Sequence, residues 1–281
     1  MHFYRYHALG NDYIVIPQSE VTGTLTPALA RRICHRNYGV GSDGILLHMD
    51  DANAERFDLR IFNPDGSESE KSGNGLRIFA RYLWDRQRVG EQPFEVTTPG
   101  GTVRCNVRDR GRVVTVDMGA LTFNSVRIPV AGPPREVLRE HFVIDGLDLE
   151  YSCASIGNPH CVILREKLSE SETRRLGPLI EVEPRFPNRT NVQFMQVIDR
   201  GNIAIQIWER GAGFTLASGS SSSAAAGVAH KLDLCDADIT VHVPGGVICI
   251  GLDPRFNVRM TGAVTHIADG EIDAEALEGA E

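Results

Sequence analysis

Apolar and polar residues alternate along "FDLRIF" (57–62) and "NIAIQIW" (202–208), which is the two-residue period of a strand with one face buried. "VVTVDM" (113–118) and "FNVRM" (256–260) follow glycine-containing turns and read as hairpin partners. Elsewhere the period lengthens. Thr26 and Pro27 fit an N-cap followed by proline at the first helical position, and "ALARRICHR" (28–36) continues as a helix expected to end near Gly39. Ile78, Phe79, Tyr82 and Leu83 fall at i, i+1, i+4 and i+5, one apolar face of a second helix that also carries Leu76, Arg77 and Arg81. The alanine-rich run at 224–230 is its counterpart later in the chain, and its small residues predict a helix packed closely on all sides. The pattern predicts an α+β unit, a mostly antiparallel sheet wrapped around one central helix, built twice.

The duplication is visible in the residues. "GNDYIVI" starts at Gly10 and "GNPHCVI" at Gly157, an offset of 147. "FNPDGSESEKSGNG" reaches Ser72 where "IWERGAGFTLASGS" reaches Ser218, an offset of 146. "VTTPGGTV" and "VHVPGGVI" place Pro99 and Pro244 145 apart, and "VDMG" and "RMTG" end at Gly119 and Gly262, 143 apart. Four matches in one order with a slowly drifting offset indicate two similar halves of about 145 residues, a common domain size.

Composition narrows the class. The chain has 281 residues, 42% of them hydrophobic, with glycine and proline spread along it, as in a globular protein. A net charge of −8 argues against nucleic acid or an anionic membrane surface as the partner. No apolar run reaches the roughly 18 residues of a membrane span, and "MHFYRYHALGND" lacks the apolar core of a signal peptide, so a cytoplasmic location is expected. None of the six cysteines forms a C-x-x-C pair; buried thiols in a reducing cytosol are expected, with no metal site. The acidic end "ADGEIDAEALEGAE" is expected to fray.

Two Ser-Gly turns carry the candidate chemistry. A helix start leaves backbone N–H groups without intrahelical partners and bears partial positive charge, and small residues let an anion approach. Gly73, Asn74 and Gly75 follow Ser72, and Gly219, Ser220 and Ser221 follow Ser218. If the halves face each other across a pseudo-twofold cleft, both helix starts point at one carboxylate. Ser72 and Ser218 are also readable as ordinary N-caps that close their own helices. Asn63 lies nine residues before Ser72, Glu209 nine before Ser218, and Asn11 matches Asn158. His160 follows Asn158 by two; alone it would read as a core histidine, but Asn158 and Pro159 place it beside a loop. These residue types suit a small polar ligand with amine and carboxylate groups.

Through "HALGNDYIVI", "NPDGSESEKSGNGLRIFARYL", "GNPHCVI", "PRFPNRTNV", "WERGAGFTLASGS" and "VPGG" the chain resembles the diaminopimelate epimerases, pyridoxal-independent isomerases of lysine and peptidoglycan biosynthesis. The resemblance covers nearly the whole chain. It implies two pseudo-symmetric α+β domains, 1–118 completed by 263–275 and 119–262, with 276–281 as the frayed tail. It also implies an isomerase that needs no cofactor and inverts the α-carbon of an amino acid, LL to meso. A small-molecule amino-acid substrate follows, and a homodimer is left open. Ser72 and Ser218 stand at the two acid/base positions, with His160 and Glu209 as their partners. The α-carboxylate site matches the backbone of Gly73, Asn74, Gly219 and Ser220, and the contacts to the distal end of the substrate match Asn11, Asn63, Asn158, Asn191 and Arg210.

The departures bear on the chemistry. The resemblance implies cysteine at both acid/base positions, and this chain has serine at both. A thiol titrates near ~8.5 and a neighbouring base can make it a thiolate; a serine hydroxyl is a far weaker acid. Phe214 stands where a glutamate is usual, which is expected to make the surroundings of Ser218 more apolar. Lys71, before Ser72, is either a solvated charge or a base, and "SDG" (42–44) replaces a glutamine that some members use. Three alternatives stay open: a binding protein that has lost the chemistry, a racemase of another amino acid using His160 and Glu209, or serines engineered in place of native cysteines. The asparagine and arginine set favours a dicarboxylate such as diaminopimelate, whereas Phe214 favours a smaller or more apolar amino acid.

Overall fold

The alternating segments become strands, and helices bridge the places where the sheet turns parallel. A computed structural model describes residues 1–49 and 57–279. In it the chain divides into two units, Met1–Val116 together with the segment from Gly262, and Asp117–Thr261. Along the chain run β1 (His2–Ala8), β2 (Asn11–Pro17), α1 (Pro27–Cys34), β3 (Ile45–Met49), β4 (Phe57–Phe62), β5 (Glu68–Ser69), α2 (Gly73–Asp85), β6 (Phe94–Thr98), β7 (Gly101–Arg108) and β8 (Val113–Ala120). They are followed by β9 (Glu140–Ile144), β10 (Leu147–Ser155), β11 (Pro159–Leu164), α3 (Glu170–Glu181), β12 (Asn191–Asp199), β13 (Asn202–Glu209), β14 (Gly213–Thr215), α4 (Gly219–Lys231), β15 (Asp238–Val243), β16 (Gly246–Leu252) and β17 (Asn257–Ala263). The last strand, β18 (Thr265–Glu271), returns to pair antiparallel with β1.

The pairing is mostly antiparallel, and its exceptions repeat. In the first unit β2–β3 and β4–β6 are parallel. In the second, β11–β12 and β13–β15 are parallel. Parallel neighbours need a crossover, usually a helix. Here α1 and α3 span the first junction of each unit, and α2 and α4 the second.

Both central helices are enclosed. The apolar face expected at 78, 79, 82 and 83 is buried, but so is every residue from Gly73 to Ala80, Arg77 included. In α4 every residue from Gly219 to Ala229 except Ser220 is buried. Small side chains make that approach possible: a side-chain carbon at Gly227 would lie 2.3 Å from Leu121 Cδ1. On the opposite face of its sheet the first unit packs Ile14, Ile16, Ile45, Leu47 and Phe62 against Ala30 and Ile33 of α1. The second packs Cys153, Cys161, Ile163, Val192 and Phe194 against Leu176 and Ile180 of α3.

Two expectations are corrected. Helix α1 stops at Cys34, short of Gly39. The His35 ring nitrogen Nδ1 accepts the N–H groups of Asn37 and Tyr38 at 3.1 and 3.2 Å, which turns the chain. A side-chain carbon at Gly39 would lie 2.0 Å from the Arg32 carbonyl oxygen, so this glycine belongs to the close-packed turn after the helix. The acidic end is also held further than expected. Ala274–Leu277 form a 3-10 turn capped by Asp273, and the Ala276 carbonyl accepts Arg32 Nε at 2.7 Å. Residues 280 and 281 lie outside the described residues. Among the described residues no helix is long and apolar enough to cross a membrane.

Candidate active site

The two Ser-Gly turns have one backbone geometry. Ser72 (φ −135, ψ 120) is the extended N-cap of α2, and Ser218 (φ −146, ψ 124) that of α4. Ser72 Oγ accepts the Gly75 N–H at 3.1 Å, and Ser218 Oγ accepts the Ser221 N–H at 3.4 Å. Both serines are therefore N-caps in the ordinary sense. The cap occupies one acceptor position of each hydroxyl and leaves the O–H hydrogen for another partner. The N–H groups of Gly73, Asn74, Gly219 and Ser220 belong to the first turns, where a helix can present donors to an anion.

In the first unit a polar chain runs beneath Ser72. Arg77 Nη2 donates to Asn74 Oδ1 at 2.8 Å, Asn74 Nδ2 to Asn11 Oδ1 at 2.9 Å, and Asn11 Nδ2 to Asp43 Oδ2 at 2.9 Å. Arg36 Nη2 then bonds both Asp43 and Asp12, and Arg5 bonds Asp12 from the other side. Burial alone would push the Asp12 carboxyl up; the hydrogen bonds from Arg36 and Arg5 outweigh it and hold the group below the usual carboxylate range. Burial pushes the buried Arg77 guanidinium down to about 10. Asn63 sits in the turn after β4, where its Nδ2 donates to Ser67 Oγ at 2.9 Å. Lys71 is half-buried, not solvated, and burial lowers its ammonium below the ordinary lysine value.

In the second unit the polar chain is built around His160. Its Nε2 lies 3.0 Å from Asn158 Oδ1, and Asn158 Nδ2 donates to Ser220 Oγ at 3.4 Å. Ser220 Oγ lies 3.5 Å from Ser218 Oγ. Gln193 Nε2 donates to Ser221 Oγ at 3.0 Å. His160 is fully buried, and burial pushes its imidazole down to about 3; the nearby Arg210 charge adds to the fall, and Gln193 opposes it. The ring is therefore neutral at ordinary pH and a poor proton acceptor. Asn191 bonds backbone at both ends of its amide, donating to the Pro159 carbonyl at 2.8 Å and accepting the Arg210 N–H at 3.0 Å. The Arg210 side chain is exposed and donates to the Asn188 carbonyl at 2.9 Å.

The Phe214 ring takes the α3 face of its strand. In the antiparallel pair β13–β14 it lies directly opposite Trp208, while Thr215 lies opposite Ile207 and Gly213 opposite Glu209. Residues directly opposite share a face. Trp208 packs on the α3 core, and the Arg174 guanidinium of α3 sits 4.2 Å from the Phe214 ring centre. Glu209 is on the other face, with Ile207. The expected apolar surroundings for Ser218 do not arise from Phe214, because strand alternation turns its ring to α3.

Tyr13 and Gln193 are among the residues of these networks that went unread in the sequence. Tyr13, buried in β2, places its phenol oxygen 3.3 Å from Ser72 Oγ. It follows Asn11 by two, as His160 follows Asn158, so the repeat already marked its position. Gln193, two residues after Asn191, had no such marker.

The family model for diaminopimelate epimerase matches residues 3–124 and 152–267. Diaminopimelate epimerase 2 of Nostoc sp. is 55% identical over 275 residues, covering 98% of this chain and 96% of that protein. The diaminopimelate epimerase of Moorella thermoacetica is 40% identical over 277 residues, covering 96% and 99%. Among solved structures, a hydroxyproline epimerase from Agrobacterium vitis aligns with a TM-score of 0.71 at 15% identity, covering 98% of this chain and 93% of that one. A Bacillus anthracis protein of the phenazine biosynthesis PhzF family aligns at 0.68 with 14% identity, covering 96% and 98%. At those identities the structural matches speak for the fold alone.

Proposed function

The chain belongs to the diaminopimelate epimerase family, and from that premise we propose that it is a cofactor-independent isomerase that inverts the α-carbon of diaminopimelate, with serine at both acid/base positions. The observation that carries the reading is 55% identity across 98% of the chain to a protein named diaminopimelate epimerase 2. The duplicated N-caps support it. Inversion needs one group to take the α-proton and another to return it from the opposite side, and Ser72 and Ser218 are the pair the repeat supplies.

The helix starts serve the substrate carboxylate. Donors at Gly73, Asn74, Gly219 and Ser220 stabilise the charge that spreads onto it as the α-proton leaves. Asn11, Asn63, Asn158, Asn191 and Arg210 hold the distal end. The side chains of Asn11 and Asn158 are already oriented by Asp43, Asn74 and His160, which costs the bound state less ordering. Neutral His160 orients Asn158, and through it Ser220, without taking a proton itself. Glu209, on the face of β13 opposite Trp208, is the carboxylate that takes the proton of Ser218 as that hydroxyl attacks the α-hydrogen. With Phe214 turned to α3, the sequence-based ground for a smaller, more apolar amino acid falls away, and the asparagine and arginine set supports a dicarboxylate. The enzyme acts on a free amino acid in the cytoplasm.

The test is α-proton exchange. LL- and meso-diaminopimelate are incubated with the protein in heavy water, and deuterium at the α-carbon is followed by NMR. Exchange with interconversion of the two is expected. Binding with no exchange would favour the binding-protein reading instead.

A further inference from the structure

We propose that Tyr13 is a positioning residue for Ser72, donating its phenol hydrogen to Ser72 Oγ and restoring the serine's proton when Ser72 protonates the substrate α-carbon. The inference rests on the epimerase reading above and addresses its weakest step, an aliphatic hydroxyl acting as acid.

The geometry around Ser72 Oγ sets the direction of the bond. The oxygen accepts the Gly75 N–H at 3.1 Å and lies 3.3 Å from the Tyr13 phenol. A phenol, near ~10 in water, is a much stronger acid than an aliphatic alcohol, so it is the donor of the pair. Ser72 then accepts twice and keeps its own hydrogen for a third direction. Two donors and the start of α2 stabilise the alkoxide that develops there.

The step balances. As the new Cα–H bond forms, the Ser72 O–H bond breaks; as a new Ser72 O–H bond forms, the Tyr13 O–H bond breaks. The carbanion's electron pair becomes the C–H bond, and the negative charge ends on the Tyr13 phenolate. In reverse, the phenolate takes the proton back through Ser72. The acid strength on this side is then that of a phenol, far closer to a thiol than serine alone could supply.

The packing shows a built position. The Tyr13 ring is buried, and its edge passes Gly44 so closely that a side-chain carbon there would lie 2.6 Å from Cε1 and 3.1 Å from Cδ1. That carbon would also lie 2.7 Å from the Phe62 carbonyl oxygen, so any side chain at 44 must displace the ring or the strand. The glycine of "SDG" thus leaves the space in which the phenol reaches Ser72. At the matching place in the second half, His160 bonds Asn158.

The test has two arms. In substrate-free protein, 3-fluorotyrosine is placed at position 13 and its ionisation followed by fluorine NMR with and without Ser72→Ala. A titration midpoint that moves on removing the serine hydroxyl is expected; an unmoved midpoint overturns the pairing, whatever the protein catalyses. In heavy water with diaminopimelate, Tyr13→Phe fills the same space and should lower kcat by about 10²-fold, with KM nearly unchanged. It should also abolish one limb of the pH–rate profile, a limb that 3-fluorotyrosine moves to lower pH. A Tyr13→Phe enzyme with wild-type kcat and profile overturns the proposal. If the wild-type protein exchanges no α-proton, the epimerase reading falls instead, and the fluorine arm alone decides the Tyr13–Ser72 relation.

Discussion

Asn74 on the first turn of α2 donates to Asn11 at the start of β2, Nδ2 to Oδ1, at 2.9 Å. The bond sits mid-chain in a line from buried Arg77 through Asn74 and Asn11 to Asp43 and Arg36. Each amide has one end held by a charged group, so neither can rotate without breaking two bonds. Asn11→Ala should cost about 1–3 kcal/mol of stability, the scale for leaving a buried partner unsatisfied. It should also raise KM for diaminopimelate. Urea unfolding and steady-state kinetics read the two effects, and a variant matching wild type in both would remove Asn11 from the site.

Phe214→Glu tests the strand register. The ring belongs to the α3 face, under Arg174. A glutamate there would meet Arg174 and Glu170, which are already paired at 2.8 Å, and would leave Ser218 untouched. Stability should change by less than about 1 kcal/mol and kcat should hold, since an exposed ion pair contributes little. A gain in kcat would show that this position does reach the chemistry.

These residues show what was legible in the sequence. The strand periods, the Thr26 N-cap and the two Ser-Gly turns were readable because each is a local rule, and the repeat multiplied their weight. Phe214 was misread because proximity in sequence to Ser218 says nothing about which face a strand residue takes; that depends on register with β13. The repeat marked the position of Tyr13, beside that of His160, but not its partner. Its phenol and Ser72 are separated by 59 residues, and only the fold brings them together. The end of α1 depended on a histidine ring accepting backbone N–H groups, an interaction with no common sequence signal.

Thiols at the serine positions measure the deficit. The double variant Ser72→Cys, Ser218→Cys should raise the exchange rate on diaminopimelate, on the scale of about 10²–10⁴-fold per positioned group. Each single variant should gain much less, because inversion needs a competent group on both sides. Ser218→Cys should gain more than Ser72→Cys, since Ser72 already has the Tyr13 phenol. Proton exchange by NMR compares all four proteins. If wild type matches the double variant, serine is no handicap on this scaffold.

Acid should destabilise the protein through His160. Burial holds the folded imidazole near about 3, while an unfolded histidine titrates near ~6.5. Between those values the unfolded chain binds a proton that the folded chain refuses. The stability tied to this ring is fully present above ~6.5 and declines as pH falls, by at most about 1.4 kcal/mol per pH unit. Carboxylates held low by partners, Asp12, Glu68 and Glu140 among them, lose their contribution only as pH falls below the ordinary carboxylate range. The interval from about pH 6.5 to 4.5 is therefore where His160 stands apart from them. His160→Gln keeps an amide N–H for Asn158 but cannot ionise. It should be less stable at neutral pH, because it refills a fully buried site, and its stability should fall less steeply between pH 6.5 and 4.5. Urea unfolding at half-unit pH steps reads both slopes. Parallel slopes in the two proteins would mean that the imidazole reaches a proton in the folded state, and the neutral role given to His160 would fall with that result.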